Sequence, residues 1–308
     1  MPSYAIGIDV GGASARVGLV SDAGRILFRA SFPTGIGIRG PRFLERIERC
    51  CRQALAVACR RRVPVRGIGI AMPAFVDERG RVAGASNLPG LNGVAVARRL
   101  ERSFRQPTRI ENDVSAAALG EYYFGRHRSG RMLLVAIGTG IGAGFIVDGG
   151  IFRLSQGCLG DPGHIIVDGS GLVPCRCGGN GCLEAVASGW ALVEAAGRQG
   201  LRATPRRVFA LGRAGHPICR PLISRAATAV GLGLATLCAL LNPDEIVLGG
   251  GVAIEGGPAF SRRVARVLRA HAVPFLVRGV PVVSARVGRD AGLAGAAALV
   301  LFRPLLAR

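Results

Sequence analysis

The chain has 308 residues, of which 49% are hydrophobic, and a formal net charge of +21, which together exclude a disordered protein and predict a sizeable core. No stretch reads as a membrane span, and the opening MPSYAIGIDVGG has neither the basic nor the apolar part of a secretion signal, so a cytoplasmic protein without a membrane partner is expected. All 40 basic residues are Arg and only 5% of residues are aromatic, so the charge lacks interleaved stacking platforms; no nucleic-acid partner is expected, whereas anionic substrates would be attracted.

In chain order, YAIGIDV, ARVGLV and ILFRASF predict three strands joined by the turns GGAS and SDAGR. Phe43, Leu44, Ile47, Cys51, Leu55 and Ala58 keep helical spacing through residues 42–61. VRGIGIAM is the next strand, and residues 74–93 are loop-rich. Residues 95–104 predict a short helix, TRIEN a strand and residues 114–123 a helix. The pattern then restarts with MLLVAIGTGIGAGFIVDGGIF as strand, glycine turn and strand. Helices follow at 184–198, 205–213 and 218–241. EIVLGGG is a buried strand ending in glycines, 258–271 a helix, PVVSARV a strand and AGLAGAAALVLF a closing helix. Two hairpin-led α/β halves predict duplicated lobes facing a cleft, with residues 1–114 plus 287–308 in the smaller and 115–286 in the larger.

Three turns suit a nucleotide. Asp9 precedes Gly11 and Gly12 at a strand end, where a carboxylate can hold Mg²⁺ or its water shell and bare backbone can approach phosphate. Gly138, Thr139 and Gly140 open the GTGIGAG turn, whose amides and hydroxyl can donate to phosphate oxygens. Gly249, Gly250 and Gly251 would let an adenine ring lie against the backbone. The plainer explanation for each is a tight hairpin that needs positive φ.

Of nine cysteines, Cys50, Cys51, Cys59, Cys158, Cys219 and Cys238 are scattered and read as small buried hydrophobes. Cys175, Cys177 and Cys182 share one short loop after His164, and one imidazole with three thiolates matches a closed tetrahedral zinc shell. Such a zinc is structural, and its ligand His164 would keep its other ring nitrogen free to donate to a sugar hydroxyl. Asn112 and Asp113 stand between a strand and a helix, where a helix cap is the bland explanation. A sugar hydroxyl, however, is a weak acid that needs a carboxylate to take its proton during phosphoryl transfer, and Asp113 is the best-placed candidate.

GIDVGG, the END segment, GTGIGAG, GDPGH, CRCGGNGCLE and VLGGG, in this order, resemble the ROK family of repressors, open reading frames and sugar kinases, from Tyr4 to about Phe302. The resemblance implies an α/β actin-like ATPase (ribonuclease H-like) fold with two lobes around a central cleft, a homodimer, and transfer of phosphate from MgATP to the 6-hydroxyl of a hexose. It further implies Asp113 as base, sugar contacts from Asn87, Gly90, Asn112, Asp161, His164 and Glu184, and Asp9, Gly11, Gly12, Thr139 and Gly140 facing the phosphates. Three segments depart from the family pattern. GGTK is Gly11-Gly12-Ala13-Ser14, and losing a hydroxyl that donates to phosphate costs about 1.5–3 kcal/mol, partly restored by Ser14 one position on. GEIGH is GDPGH, and a GxPG segment reads Ala71-Met72-Pro73-Ala74, so an amino or N-acetyl hexose competes with glucose. A polyphosphate-using kinase and a catalytically impaired sugar-binding regulator compete as well. The first strand begins at Tyr4, so a preceding DNA reader is not expected.

Overall fold

Large and small side chains alternate along the first strand, and that alternation organises the N-terminal part of the molecule. In the computed structural model, which describes residues 2–76, 81–154 and 159–302, β1 (Tyr4–Val10) turns Tyr4, Ile6, Ile8 and Val10 into one apolar cluster and Ala5 into another. β2 (Ser14–Ser21) and β3 (Ile26–Pro33) continue antiparallel. α1 (Gly40–Arg61) adds Phe43, Ile47, Cys51 and Ala58 to the large-residue cluster, and β4 (Val65–Met72) pairs parallel to β1. A small hairpin of β5 (Phe75–Val76) and β6 (Val82–Ala83) leads to α2 (Val96–Phe104) and then β7 (Thr108–Asn112). β7 is parallel to β4 and completes the order β3-β2-β1-β4-β7, and α3 (Asp113–Phe124) follows without a loop.

The second half repeats the scheme. β8 (Arg131–Ile137) is followed by β9 (Ile141–Val147) and β10 (Gly150–Ile151), an antiparallel pair. The helix expected over 184–198 is two helices, α4 (Leu183–Ala187) and α5 (Gly189–Arg198). Ser188 divides them, because its extended backbone lets its Oγ cap α5 by accepting from the Ala191 N–H at 3.2 Å. α6 (Pro205–Arg213) and α7 (Cys219–Leu241) lie where the spacing puts them. β11 (Glu245–Gly249) is parallel to both β8 and the short β12 (Val282–Ser284), as β4 is to β1 and β7. α8 (Gly250–His271) starts at the glycine turn itself and not at residue 258: Gly257 (φ 59°) and Pro258 kink it, so only the part beyond the kink has a readable helical pattern. A single turn, α9 (Pro274–Val277), precedes β12, and α10 (Ala291–Leu301) closes the described chain.

Packing divides the described residues into two units. Unit 1 runs to Arg128 and takes in Gly144–Gly160 and the residues from Arg289; unit 2 is Ser129–Ala143 and Asp161–Gly288. The change of unit falls after α3, beyond the boundary expected near residue 114, because α3 packs tightly on α10: a Cβ on Gly120 would lie 2.5 Å from the Gly295 nitrogen. Gly18, Gly7 and Gly69 stand in register across β2, β1 and β4, and a Cβ on Gly7 or Gly69 would collide with carbonyl oxygens of α10. Unit 1 thus has isoleucines on its α1 side and glycine and alanine on its α10 side.

In unit 2 the core helix is α7, packed against α4, α5, α6 and α8. Contrary to the expectation of no such segment, α7 is long and apolar enough by length and composition to cross a membrane. Its apolar stretch is 56% buried within the protein, with Ala226, Ala227, Val230, Leu234 and Cys238 in the core. Cys50, Cys51 and Cys219 are also buried. Cys59 is exposed, because it follows the buried Ala58 by about 100° around α1; Cys158 lies outside the described residues.

Candidate functional site

Parallel strands bring their C-terminal ends to one edge, and in unit 1 that edge collects the carboxylates. Register aligns Ala71 of β4 with Asp9 of β1 on one side and Glu111 of β7 on the other. Asn112 caps α3, its Oδ1 accepting from Val114 N at 3.0 Å and Ser115 N at 3.2 Å. Asp113 is therefore relieved of the capping duty that would explain it without a function, and it accepts a short-range bond from Val114 N at 2.9 Å. Burial first, and the Asp9 carboxylate second, push its carboxyl up to about 6. Glu111 is buried, takes the Asn112 N–H at 2.9 Å and forms an ion pair with Arg153. It braces the segment that presents Asn112 and Asp113.

Asp9 lies directly across the β1–β2 hairpin from Arg16, whose Nε donates to Asp9 Oδ2 at 3.1 Å. Arg16 also donates to the Arg289 carbonyl at 3.0 Å, and Asp290 next to it is held by both guanidinium nitrogens of Arg29 at 2.6 and 2.7 Å. Gly11 N donates to Ser14 O at 2.9 Å, and Thr34 Oγ1 donates to Gly11 O at 2.7 Å, which fixes the turn. Asn87 lies beside Gly12, and Ser14 is exposed at the start of β2. Gly90 has a packing reason of its own, because a Cβ there would meet Ile38 O and Arg39.

Gly292 of α10 leaves room for the acid, since a Cβ there would lie 2.7 Å from the Asp9 carboxylate. Gly292→Ala is expected to keep the melting temperature close to that of the parent, because Ala gains about 0.5–1 kcal/mol over Gly in a helix. It should nevertheless break the Asp9–Arg16 pair and, on the resemblance-based expectation that Asp9 faces the phosphates, raise the KM for MgATP about tenfold. Calorimetry beside steady-state kinetics checks this, and an unchanged KM would count against Asp9 facing the phosphates.

Unit 2 places its two glycine turns side by side. Gly249 is in register with Ala136, and Gly250 (φ 83°) packs so closely on Ile137 that a Cβ would strike its backbone. Among the described glycines of the expected nucleotide turns, only Gly250 has a positive φ, so hairpin geometry does not explain Gly11, Gly12, Gly138 or Gly140. At Gly140 the reason is space: a Cβ would collide with Glu184. Glu184 Oε2 accepts the Ile141 N–H at 2.8 Å and its Oε1 the Trp190 indole N–H at 3.3 Å. Thr139 between the glycines is exposed, and Gly251 has open space around its α-carbon.

His164 sits on a 3₁₀ turn, Pro162–His164, beneath Ile141. Its Nδ1 is 3.6 Å from Cys175 Sγ, while its Nε2 faces Asp161 Oδ2 at 3.5 Å. Cys177 and Cys182 sulfurs are 3.7 Å apart, and the four ligand atoms lie within 4.8 Å of one another. A tetrahedron with Zn–S bonds of ~2.3 Å has edges of ~3.8 Å, so the donor set and its spacing fit one metal ion. Gly181 (φ 74°) lets the loop turn where a Cβ would hit Asp168 O.

An α/β fold of this topology, with a carboxylate at the start of α3 and glycine turns at strand ends, is that of a sugar kinase of the actin-like ATPase class. The chain belongs to the ROK family, whose model matches residues 5–303. It is 30% identical to a glucokinase of Halalkalibacterium halodurans, covering 96% of this chain and 94% of that one. It is also 30% identical to an N-acetylmannosamine kinase of Salmonella heidelberg, over 96% and 97% of the two chains. Among solved structures, a ROK hexokinase from Thermus thermophilus aligns with a TM-score of 0.83 at 32% identity over 97% and 98%. A ROK glucokinase from Streptomyces griseus in complex with glucose and AMPPNP aligns with 0.78 at 29% identity over 96% and 99%.

Proposed function

We propose that the protein transfers the γ-phosphoryl group of ATP to the 6-hydroxyl of a hexose, with Asp113 as general base. The observation that carries this is Asp113 itself: a half-buried carboxyl at the start of α3, excused from capping by Asn112 and tuned to about 6. A base of that strength is ionised near neutral pH yet basic enough to accept a proton from an alcohol as it attacks phosphorus. The hydroxyl oxygen bonds to the γ-phosphorus, ADP departs, and the proton passes to Asp113. Mg²⁺ enters with ATP as part of the donor; Asp9 and the backbone of Gly11 and Gly12, with Gly138, Thr139 and Gly140, serve the phosphates. Asn87, Asn112, Asp161 and His164 serve the sugar hydroxyls. Glu184 is held by Ile141 and Trp190, and the remaining lone pairs of its carboxylate can still accept from a sugar hydroxyl. His164, Cys175, Cys177 and Cys182 would hold a structural zinc, whose binding would order their loop and fix the His164 ring.

A second substrate class has its own support. Asp161 is 55% exposed in its side chain, and it is one methylene shorter than the glutamate usual at this point of the family motif, which favours a sugar carrying a larger substituent such as an acetamido group. A panel of glucose, mannose, glucosamine, N-acetylglucosamine and N-acetylmannosamine, each with ATP and with polyphosphate, tests both classes and the donor. Glucose or mannose with ATP is expected to give the highest kcat/KM; absence of turnover with every pair would sink the proposal.

A further inference from the structure

Trp190, the chain's single tryptophan, touches three things at once. Its backbone N–H reaches the Thr139 carbonyl at 3.4 Å, next to the Gly189 N–H that donates to Gly138 O at 2.8 Å. Its indole N–H donates to Glu184 Oε1 at 3.3 Å, and the other oxygen of that carboxylate takes the Ile141 N–H at 2.8 Å. The face of its ring carries the Arg176 guanidinium carbon at 4.3 Å. Arg176 stands between Cys175 and Cys177, and the ring packs on the cluster of Cys175, Cys182 and Ala185. The metal-binding loop and the glycine turn 138–140 therefore meet through one side chain.

We propose that Trp190 is a positioning residue that fixes the glycine turn for the donor phosphates by tying Glu184 to the four-ligand loop. The physical requirements select this residue type. Glu184 closes the turn with one oxygen, and its second oxygen needs a donor that cannot swing away. An indole supplies that N–H on a wide rigid plate, and the cation over its face holds the plate in place. Loss of order in the metal loop would release Arg176, then the ring, then Glu184, and the turn would open. This rests on the reading that the 138–140 turn serves the phosphates, and it adds a residue and a direction of control which that reading lacks.

Trp190→Phe keeps the ring and removes the N–H; Arg176→Met keeps the indole and removes the cation. In the metal-loaded full chain, Trp190→Phe is expected to raise the KM for ATP about tenfold, the loss of one bond to a charged acceptor, with kcat and the sugar KM within about twofold. Arg176→Met is expected to raise it about threefold. A residue with a merely structural role would depress kcat and both KM values together, and that result, or an unchanged KM for ATP in Trp190→Phe, overturns the proposal.

The fluorescence of Trp190 supplies a readout independent of turnover. Chelation of the metal should shift its emission to longer wavelength, and adding ATP to the loaded protein should change it in the parent but not in Glu184→Ala. An emission unmoved by both treatments overturns the proposal. Should the sugar panel give no product while these emission changes occur, the hexose reading fails and the link through Trp190 stands. If Trp190→Phe does not fold, Arg176→Met carries both measurements.

Discussion

Asp113→Asn is expected to lower kcat by a factor of at least 10²–10⁴, the usual share of a general base, while the sugar dissociation constant changes little. Asparagine keeps the shape and still accepts the Val114 N–H, so α3 begins as before. What disappears is the capacity to take the hydroxyl proton. The parent enzyme supplies a companion test. Burial and the neighbouring Asp9 carboxylate both disfavour the anion of Asp113, so its pKa is raised. A raised carboxyl is protonated, and idle as a base, below that value. The profile of kcat/KM should therefore climb with pH through about 6 and level off above it. Asp9→Asn removes the second cause and should move the climb to lower pH. An asparagine variant retaining more than about a tenth of the rate removes Asp113 from its role.

Cys177→Ser is the second change with a large expected effect. Cys177 is exposed, so its replacement deletes no core packing. Its effect must come through the metal. Structural zinc contributes on the order of 10 kcal/mol to ordering its loop, and losing one ligand of four removes most of that. Metal content should fall from one ion per chain to below half, and thermal unfolding should begin at a clearly lower temperature. Cys59→Ser is the matched control, another exposed cysteine, on α1, and should leave both quantities unchanged. A Cys177→Ser protein with a full metal complement and parental melting would refute the assignment.

The elements that announce themselves in the sequence are those whose pattern is local. Period-two strands ending in glycine, the helix of residues 42–61 and the tight grouping of three cysteines with a preceding histidine all depend on neighbours within one element or loop. The site residues that escape notice depend on distance along the chain. Arg16 meets Asp9 because a hairpin register sets them opposite, whereas the sequence of the turn between them advertises only its glycines. Gly292 lies 283 positions beyond the carboxylate whose space it preserves, counted from Asp9 to Gly292. Glu184 reads as a sugar contact from its motif, and its bonds to Ile141 and Trp190 appear only when the turn and α4 are folded together. The start of α8 is hidden because Gly250, Gly251, Gly256, Gly257 and Pro258 look like loop residues, although the first turns are helical.

The glycine-lined face of β1 and β4 carries a consequence for how the molecule is made. Those strands leave the ribosome early, but the helix that covers them, α10, is built from residues 291–301. Until it arrives, Ala5, Gly7 and Gly69 lack their main cover on that side. Unit 2 is assembled mostly from the uninterrupted stretch Asp161–Gly288, which is complete earlier. Maturation of the nascent chain should therefore run against the usual direction, with the later-synthesised body acquiring protease resistance before the first-synthesised one.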